Sequence, residues 1–307
     1  MGDRGSCFWG VVLLFVVLLI VFIIVIVYLA RNSAIPIDAG SIDSGVVASR
    51  TLSHRTPVED EYKLVAVIVE PREKNLIETI SHYMRTLPDY THFQVYHGTK
   101  NHEFLLNSSL RPHIDSGKVE LLDMGVENLT VMGYCELLCS VDFWNTIRGE
   151  KVLIFQTDSI TCARSKYNIE EFLEYDYVGA PLPAQINMLM RTVFWLRGWN
   201  ISTDFYNGGL SVRTKSLSKE VIEKYPWDKK TPEDVWFCAF MDKLGGKIAD
   251  YDVAKKFSYE AVRTFEEVPW GLHKPRRNKR KLQQYCPEYQ DIPFVPAHTD
   301  YKTLYMV

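Results

Sequence analysis

"KVLIFQTDSI", residues 151–160, is an aliphatic run that stops at Gln156, Thr157, Asp158 and Ser159. A short apolar run bounded by turn residues reads as a strand buried on both faces, as strands of parallel sheets are. Taken alone, a carboxylate among small hydroxyls at its carboxyl end is ordinary turn chemistry. In an open α/β sheet the same position is where ligands bind. The flanking sequence decides between the two.

Upstream, "KLVAVIVE" (63–70) is a second buried strand, broken by "PREKN". Leu76, Ile77, Ile80, Tyr83, Met84 and Leu87 then share one face of a helix that stops before Pro88. "HFQVYHG" (92–98) and "KVELLDMG" (118–125) read as further strands, and Leu137, Val141 and Trp144 mark the buried side of one helix. Strands alternating with helices predict a parallel or mixed sheet covered on both faces. Residues 151–155 become roughly its fourth strand, with Asp158 at its ligand-facing edge.

The whole chain of 307 residues is 47% hydrophobic and 24% charged, which is globular apart from one segment. Its net charge of −3 speaks against nucleic acid as a partner. From Phe8 to Ala30 no residue is charged, long enough at about 1.5 Å per residue to cross a hydrocarbon core of roughly 30 Å. The expected organisation is a cytosolic tail (1–7), a transmembrane signal anchor (8–30), a stem rich in Ser, Gly, Pro and Asp (31–60) and one lumenal domain (61–307). Asn107, Asn128 and Asn200 all begin glycosylation triplets beyond the span, favouring a type II protein of the endoplasmic reticulum or Golgi. The five cysteines past the span match no zinc spacing, and their odd number leaves at least one unpaired within a monomer.

Three further stretches carry candidate chemistry. Asn207-Gly208-Gly209 reads as a turn before a strand, or as a place where backbone approaches a ligand closely. Thr231, Pro232, Glu233 and Asp234 read as an N-cap, Pro at N1 and two acids favoured by the helix dipole. The same acids would serve as a general base if they face the cleft of Asp158. His273 opens onto six cations in eight positions, Lys274 to Lys281, a solvated tail or a site for a diphosphate.

These pieces fit transfer of a sugar from a nucleotide donor. The departing nucleoside diphosphate is commonly neutralised by Mn²⁺ or Mg²⁺, held by few protein ligands while the phosphates complete the shell. Asp158 and His273 are the candidate metal ligands. Glu70, Gln156, Thr157, Asp158, Asn207, Gly208, Gly209 and Lys274 are the candidate donor contacts, and Glu233 or Asp234 the candidate base. Nucleotidyl transfer would call for a glycine-rich phosphate loop after the first strand, and "EPREKN" (70–75) has no glycine.

The ordered motifs "VAVIVEPRE", "FQVYHGTKN", "YCELLCSVDFWNTI", "VLIFQTDSITC", "FLEYDYVGAP", "YNGGLSVR", "PEDVWFC" and "GLHKP" resemble the family named domain of unknown function 5672, over residues 62 to 275. The resemblance implies a glycosyltransferase-like, GT-A type domain with a Rossmann-like mixed sheet. It also implies an Asp-x-Asp-type metal motif, of which this chain keeps only the second acid, in Gln156-Thr157-Asp158. Expected partners are a nucleotide-sugar donor, a glycan, lipid or protein acceptor, and the membrane through residues 8–30. The competing expectation is a catalytically inactive, membrane-anchored carbohydrate-binding or adhesion protein on the same fold.

Overall fold

The computed structural model describes residues 44–260, 267–275 and 279–290. The expected tail, span and first part of the stem lie outside the described residues, as do Arg276 and Arg277 of the basic run. Among the described residues no helix is long and apolar enough to cross a membrane.

Six strands form the central sheet: β1 (Val65–Val69), β2 (His92–His97), β3 (Val119–Asp123), β4 (Lys151–Phe155), β6 (Tyr177–Pro181) and β7 (Tyr206–Thr214), in the order β3-β2-β1-β4-β7-β6. The first four run parallel, while β7 is antiparallel to both of its neighbours. This mixed α/β sheet agrees with the expectation, and the fourth strand is β4. Its aliphatic residues Val152 to Phe155 are fully buried, as a strand covered on both faces requires.

Some local expectations are corrected. The single helix expected around Leu137 to Trp144 is two, Val131–Leu138 and Val141–Asn145. The break falls at Ser140, whose Oγ accepts a hydrogen bond from Phe143 N and so starts the second helix. The expected stem contains a ten-residue helix, Ser44–Ser53, with Ala48 and Leu52 buried. Its close approach to the Val131–Leu138 helix depends on glycine: a Cβ on Gly45 would stand 2.3 Å from Gly133 O. A short segment with few apolar positions gives no period from which a sequence reading finds such a helix.

A second, three-stranded sheet carries the functional consequence. In it β5 (Ser159–Thr161) pairs antiparallel with β9 (Gly271–His273), and β9 pairs parallel with β8 (Ser258–Tyr259). The register places Ser159 opposite His273, and Lys274 N donates to Asp158 O at 3.0 Å. Residues more than a hundred positions apart are thereby set side by side. On the other side of β5, the Leu76–Thr86 helix fixes the strand through Tyr83 Oη to Ser159 Oγ (2.8 Å) and His82 Nε2 to Thr161 Oγ1 (2.7 Å).

Cys162 and Cys286 form a disulfide across 124 positions of sequence, beside a small core of Ile160, Tyr259, Leu272 and Leu282. Cys135, Cys139 and Cys238 are free. The bond ties the Lys279–Tyr285 helix to the end of β5, and closing so long a loop restricts the unfolded chain. Cys286→Ser is expected to lower stability by about 2–5 kcal/mol in a denaturant melt. An unchanged midpoint under non-reducing conditions would show that the bond contributes nothing.

Candidate active site

At the carboxyl edge of the parallel strands, Asp158 sits against His273 and Lys274. Its Oδ1 is 3.3 Å from His273 Nε2, and its Oδ2 is 3.4 Å from Lys274 Nζ. Gln156 Oε1 accepts from Lys274 Nζ at 3.2 Å and lies equally far from His273 Nε2. Burial alone would raise the Asp158 carboxyl, but the His273 imidazole and the Lys274 ammonium hold it well below the usual carboxylate range. Asp158 is therefore an anion at neutral pH; residues 156–159 do form a turn, closed by Ser159 N donating to Gln156 O at 3.0 Å, and its carboxylate is held by two cationic side chains.

His273 is buried between two acids. Its other nitrogen, Nδ1, lies 3.2 Å from Glu260 Oε2, and Glu260 is itself buried. Desolvation would lower the imidazole, yet Glu260 and Asp158 outweigh it and raise its pKa. Asp158 Oδ1, His273 Nδ1 and Glu260 Oε2 are buried without an aligned hydrogen-bond partner. Asp158 Oδ1 and His273 Nε2 are about as far apart as two adjacent ligands of one cation bound at about 2.1 Å, and a carboxylate behind a ligating histidine is the usual support for such a pair. Among the described residues no group of three or more acids, histidines or cysteines is placed to hold a metal. The pair Asp158 and His273 would offer a cation at most two side-chain ligands.

Glu70 and Thr157 border this cluster, but neither points a spare group at it. Glu70 accepts two side-chain hydrogen bonds from Arg72 (2.7 and 2.8 Å), and Thr157 Oγ1 donates to Glu70 Oε2 at 3.4 Å. Glu70 is therefore the anchor of Arg72, a cation that also feels the charge of Asp158.

The glycine pair is not a turn. Asn207, Gly208 and Gly209 lie inside β7, where the β6–β7 register jumps between Gly179↔Ser211 and Ala180↔Asn207. The bulge brings backbone against two sets of side chains. A Cβ on Gly209 would stand 2.2 Å from His273 Nε2, and one on Gly208 would stand 2.8 Å from Glu233 Oε1 and 2.9 Å from Asp234 Cβ. Only glycine allows both approaches. Asn207 turns its Oδ1 inward to accept from Gly209 N at 2.8 Å, which holds the bulge.

Glu233 and Asp234 prove to have different roles. The helix starts at Glu233 with Pro232 at its N-cap position and no side-chain cap; Thr231 instead donates to Asp228 Oδ2 at 2.7 Å. The expected Thr231 cap is thus corrected, because Asp228 holds that hydroxyl. Both acids are buried, and Glu233 is locked to the fully buried Arg213 by two hydrogen bonds of 2.6 and 3.1 Å. Asp234 Oδ2 accepts from Gly208 N at 3.1 Å and Oδ1 from Val235 N at 2.8 Å. Burial and the neighbouring Glu233 push its carboxyl up to about 7. Asp234 thus combines contact with the glycine bulge and a proton affinity suited to acid–base work near neutrality, while Glu233 is engaged by Arg213.

Arg213, Glu260 and Tyr134 belong to the site and were not among the expected residues. Tyr134 Oη is buried near Gln156, Glu233 and Arg213. Arg213 had a signal: a cation in the strand "GGLSVRT" has to find a buried acid. Asn107, Asn128 and Asn200 are all solvent-exposed.

The chain belongs to the family described as "Protein of unknown function (DUF5672)", whose model matches residues 119–273. Among solved structures it is similar to the apo form of the bifunctional glycosyltransferase WbbM, with a TM-score of 0.45, 11% identity and coverage of 80% of this chain and 51% of that one. It is also similar to the apo-form glycosyltransferase GlyE of Streptococcus pneumoniae TIGR4, with a TM-score of 0.43, 11% identity and coverage of 80% and 62%. The chain thus spans about half and about three-fifths of those two chains. No curated protein matches it. Fold likeness of this order assigns no reaction, so the chemistry has to be argued from the site.

Proposed function

We infer that this protein is a glycosyltransferase that moves a sugar from a nucleotide-sugar donor to a hydroxyl acceptor. The observation that carries the reading is the division of the site by the 208–209 bulge. On one side stands the ionised Asp158 with His273 and Lys274, and on the other the buried Asp234 with its carboxyl raised to about 7. Two titratable groups whose surroundings push them in opposite directions is the arrangement acid–base chemistry requires.

In this mechanism Lys274 neutralises the donor diphosphate, and Asp158 with His273 would hold Mn²⁺ or Mg²⁺. When bound, the cation supplies charge neutralisation of the leaving diphosphate. Glu260 keeps the His273 ring oriented with Nε2 toward the site. Asp234 removes the acceptor hydroxyl proton as the oxygen bonds to the sugar carbon. The bond from that carbon to the phosphate oxygen breaks, and its electron pair leaves with the nucleoside diphosphate.

The disulfide and the three exposed asparagines support a lumenal, type II placement behind an anchor at residues 8–30, since disulfides persist in oxidising compartments. The test of function is a panel of nucleotide sugars incubated with the full-length protein in detergent, with and without Mn²⁺. Slow donor hydrolysis of one member, stimulated by the cation, is expected. Absence of hydrolysis and of nucleotide binding across the panel would remove the transferase reading.

A further inference from the structure

A cavity of about 510 Å³ opens beside the Ala184–Leu196 helix, at the same edge of the sheet as the candidate centre. Leu182, which follows β6, and Asp204, which precedes β7, both line it. The joint is rigid: Asn187 accepts from Phe205 N at 2.6 Å and donates to Leu182 O at 3.0 Å. From Asp204 the chain runs in four residues to Gly208, where Asp234 makes its backbone contact. The cavity therefore lies beside the start of β7, the strand whose bulge carries the base side of the site.

Its lining has an unusual composition for an exposed surface. Met188, Arg191, Thr192 and Trp195 recur at helical spacing on one face, and Tyr251 also lines the cavity. Met188 and Trp195 are each 68% exposed and Tyr251 is 40% exposed, so large apolar groups are gathered around one opening. Between them Arg191 Nη2 donates to Asp204 Oδ1 at 2.7 Å. These are the only two charged residues in the lining, one of each sign, so the cavity carries no net charge.

We propose that this cavity binds the terminal sugars of a neutral glycan, which is the acceptor; this rests on the transferase reading above. A pyranose ring presents a CH-rich face that packs on Trp195 and Tyr251, and equatorial hydroxyls that donate to Asp204 and accept from Arg191. A phosphate headgroup or an acidic glycan would need an unpaired cation, which the Arg191–Asp204 pair withholds. The volume lies within the roughly 300–1,000 Å³ usual for small-ligand sites, enough for one or two rings. Asn200 also lines the opening and begins a glycosylation triplet, so the chain's own glycan is the competing occupant.

The test uses full-length protein in detergent on an array of neutral and acidic oligosaccharides, with nucleoside diphosphate binding measured on the same preparation. The parent is expected to bind neutral members, Trp195→Ala to weaken that binding at least tenfold with an unchanged melt, and Trp195→Phe to retain most of it. Binding confined to acidic members, no binding to any member, or an unaffected Trp195→Ala would overturn the proposal. Binding seen only in Asn200→Gln would mean that the chain's own glycan fills the cavity, and would overturn it too. Glycan binding without nucleotide binding would keep the cavity as a glycan site and remove the transferase reading, whereas nucleotide binding without glycan binding would do the reverse.

Discussion

Asp234→Asn is expected to lower turnover by about 10²–10⁴-fold while leaving donor affinity within a few fold of the parent, because only the proton-accepting group is lost. The pH dependence follows from the same residue. A general base works when deprotonated, so the parent's activity should rise as the pH passes upward through about 7. The sign for stability is opposite. A carboxyl that holds its proton more tightly folded than unfolded makes the folded state less favourable as it ionises, so this group's contribution falls between about pH 4 and 7. Melts across that window, compared between parent and Asp234→Asn, read this directly. A variant that keeps full turnover would show that Asp234 only holds the Gly208 bulge.

Glu233→Gln should behave quite differently. Glu233 neutralises Arg213, whose guanidinium is fully buried and packed over the Tyr177 and Phe237 rings. Removing one partner of a buried pair leaves an uncompensated charge, at a cost of about 3–5 kcal/mol. The variant is therefore expected to melt well below the parent, or to express poorly, with lost activity tracking lost fold. Arg213→Met tests the same pair from the other side and should be similarly destabilised. If Glu233→Gln melts like the parent and loses only turnover, the roles of the two acids have to be exchanged.

The adjacent acids show what a sequence can and cannot disclose. Their candidacy as base was legible from their place after Thr231-Pro232, but their distinction was not. It depends on Arg213, twenty positions away, which donates two hydrogen bonds to Glu233. The central sheet was legible because continuous apolar runs leave β1 and β4 no alternative to burial on both faces. The second sheet was not: β5, β8 and β9 are two or three residues long and have no period of their own. Yet it is this sheet that brings His273 to Asp158. The company of the two residues was expected from chemistry and a family resemblance, while the pairing that causes it, Ser159 opposite His273, needed coordinates. The glycine pair misled in another way, since Asn-Gly is a strong turn signal and here lies within a strand.

Asp158 is the centre of the site, and nucleoside diphosphate binding to folded Asp158→Asn protein tests its role. The substitution keeps the side chain's shape and removes its charge, so the small sheet should survive and the melt should stay cooperative. The parent is expected to bind the diphosphate more tightly when Mn²⁺ is added, and Asp158→Asn to lose at least tenfold in affinity together with that dependence on the cation. Equal binding by the two proteins, with the same response to Mn²⁺, would contradict the centre described here and favour a carbohydrate-binding protein on a transferase-like fold.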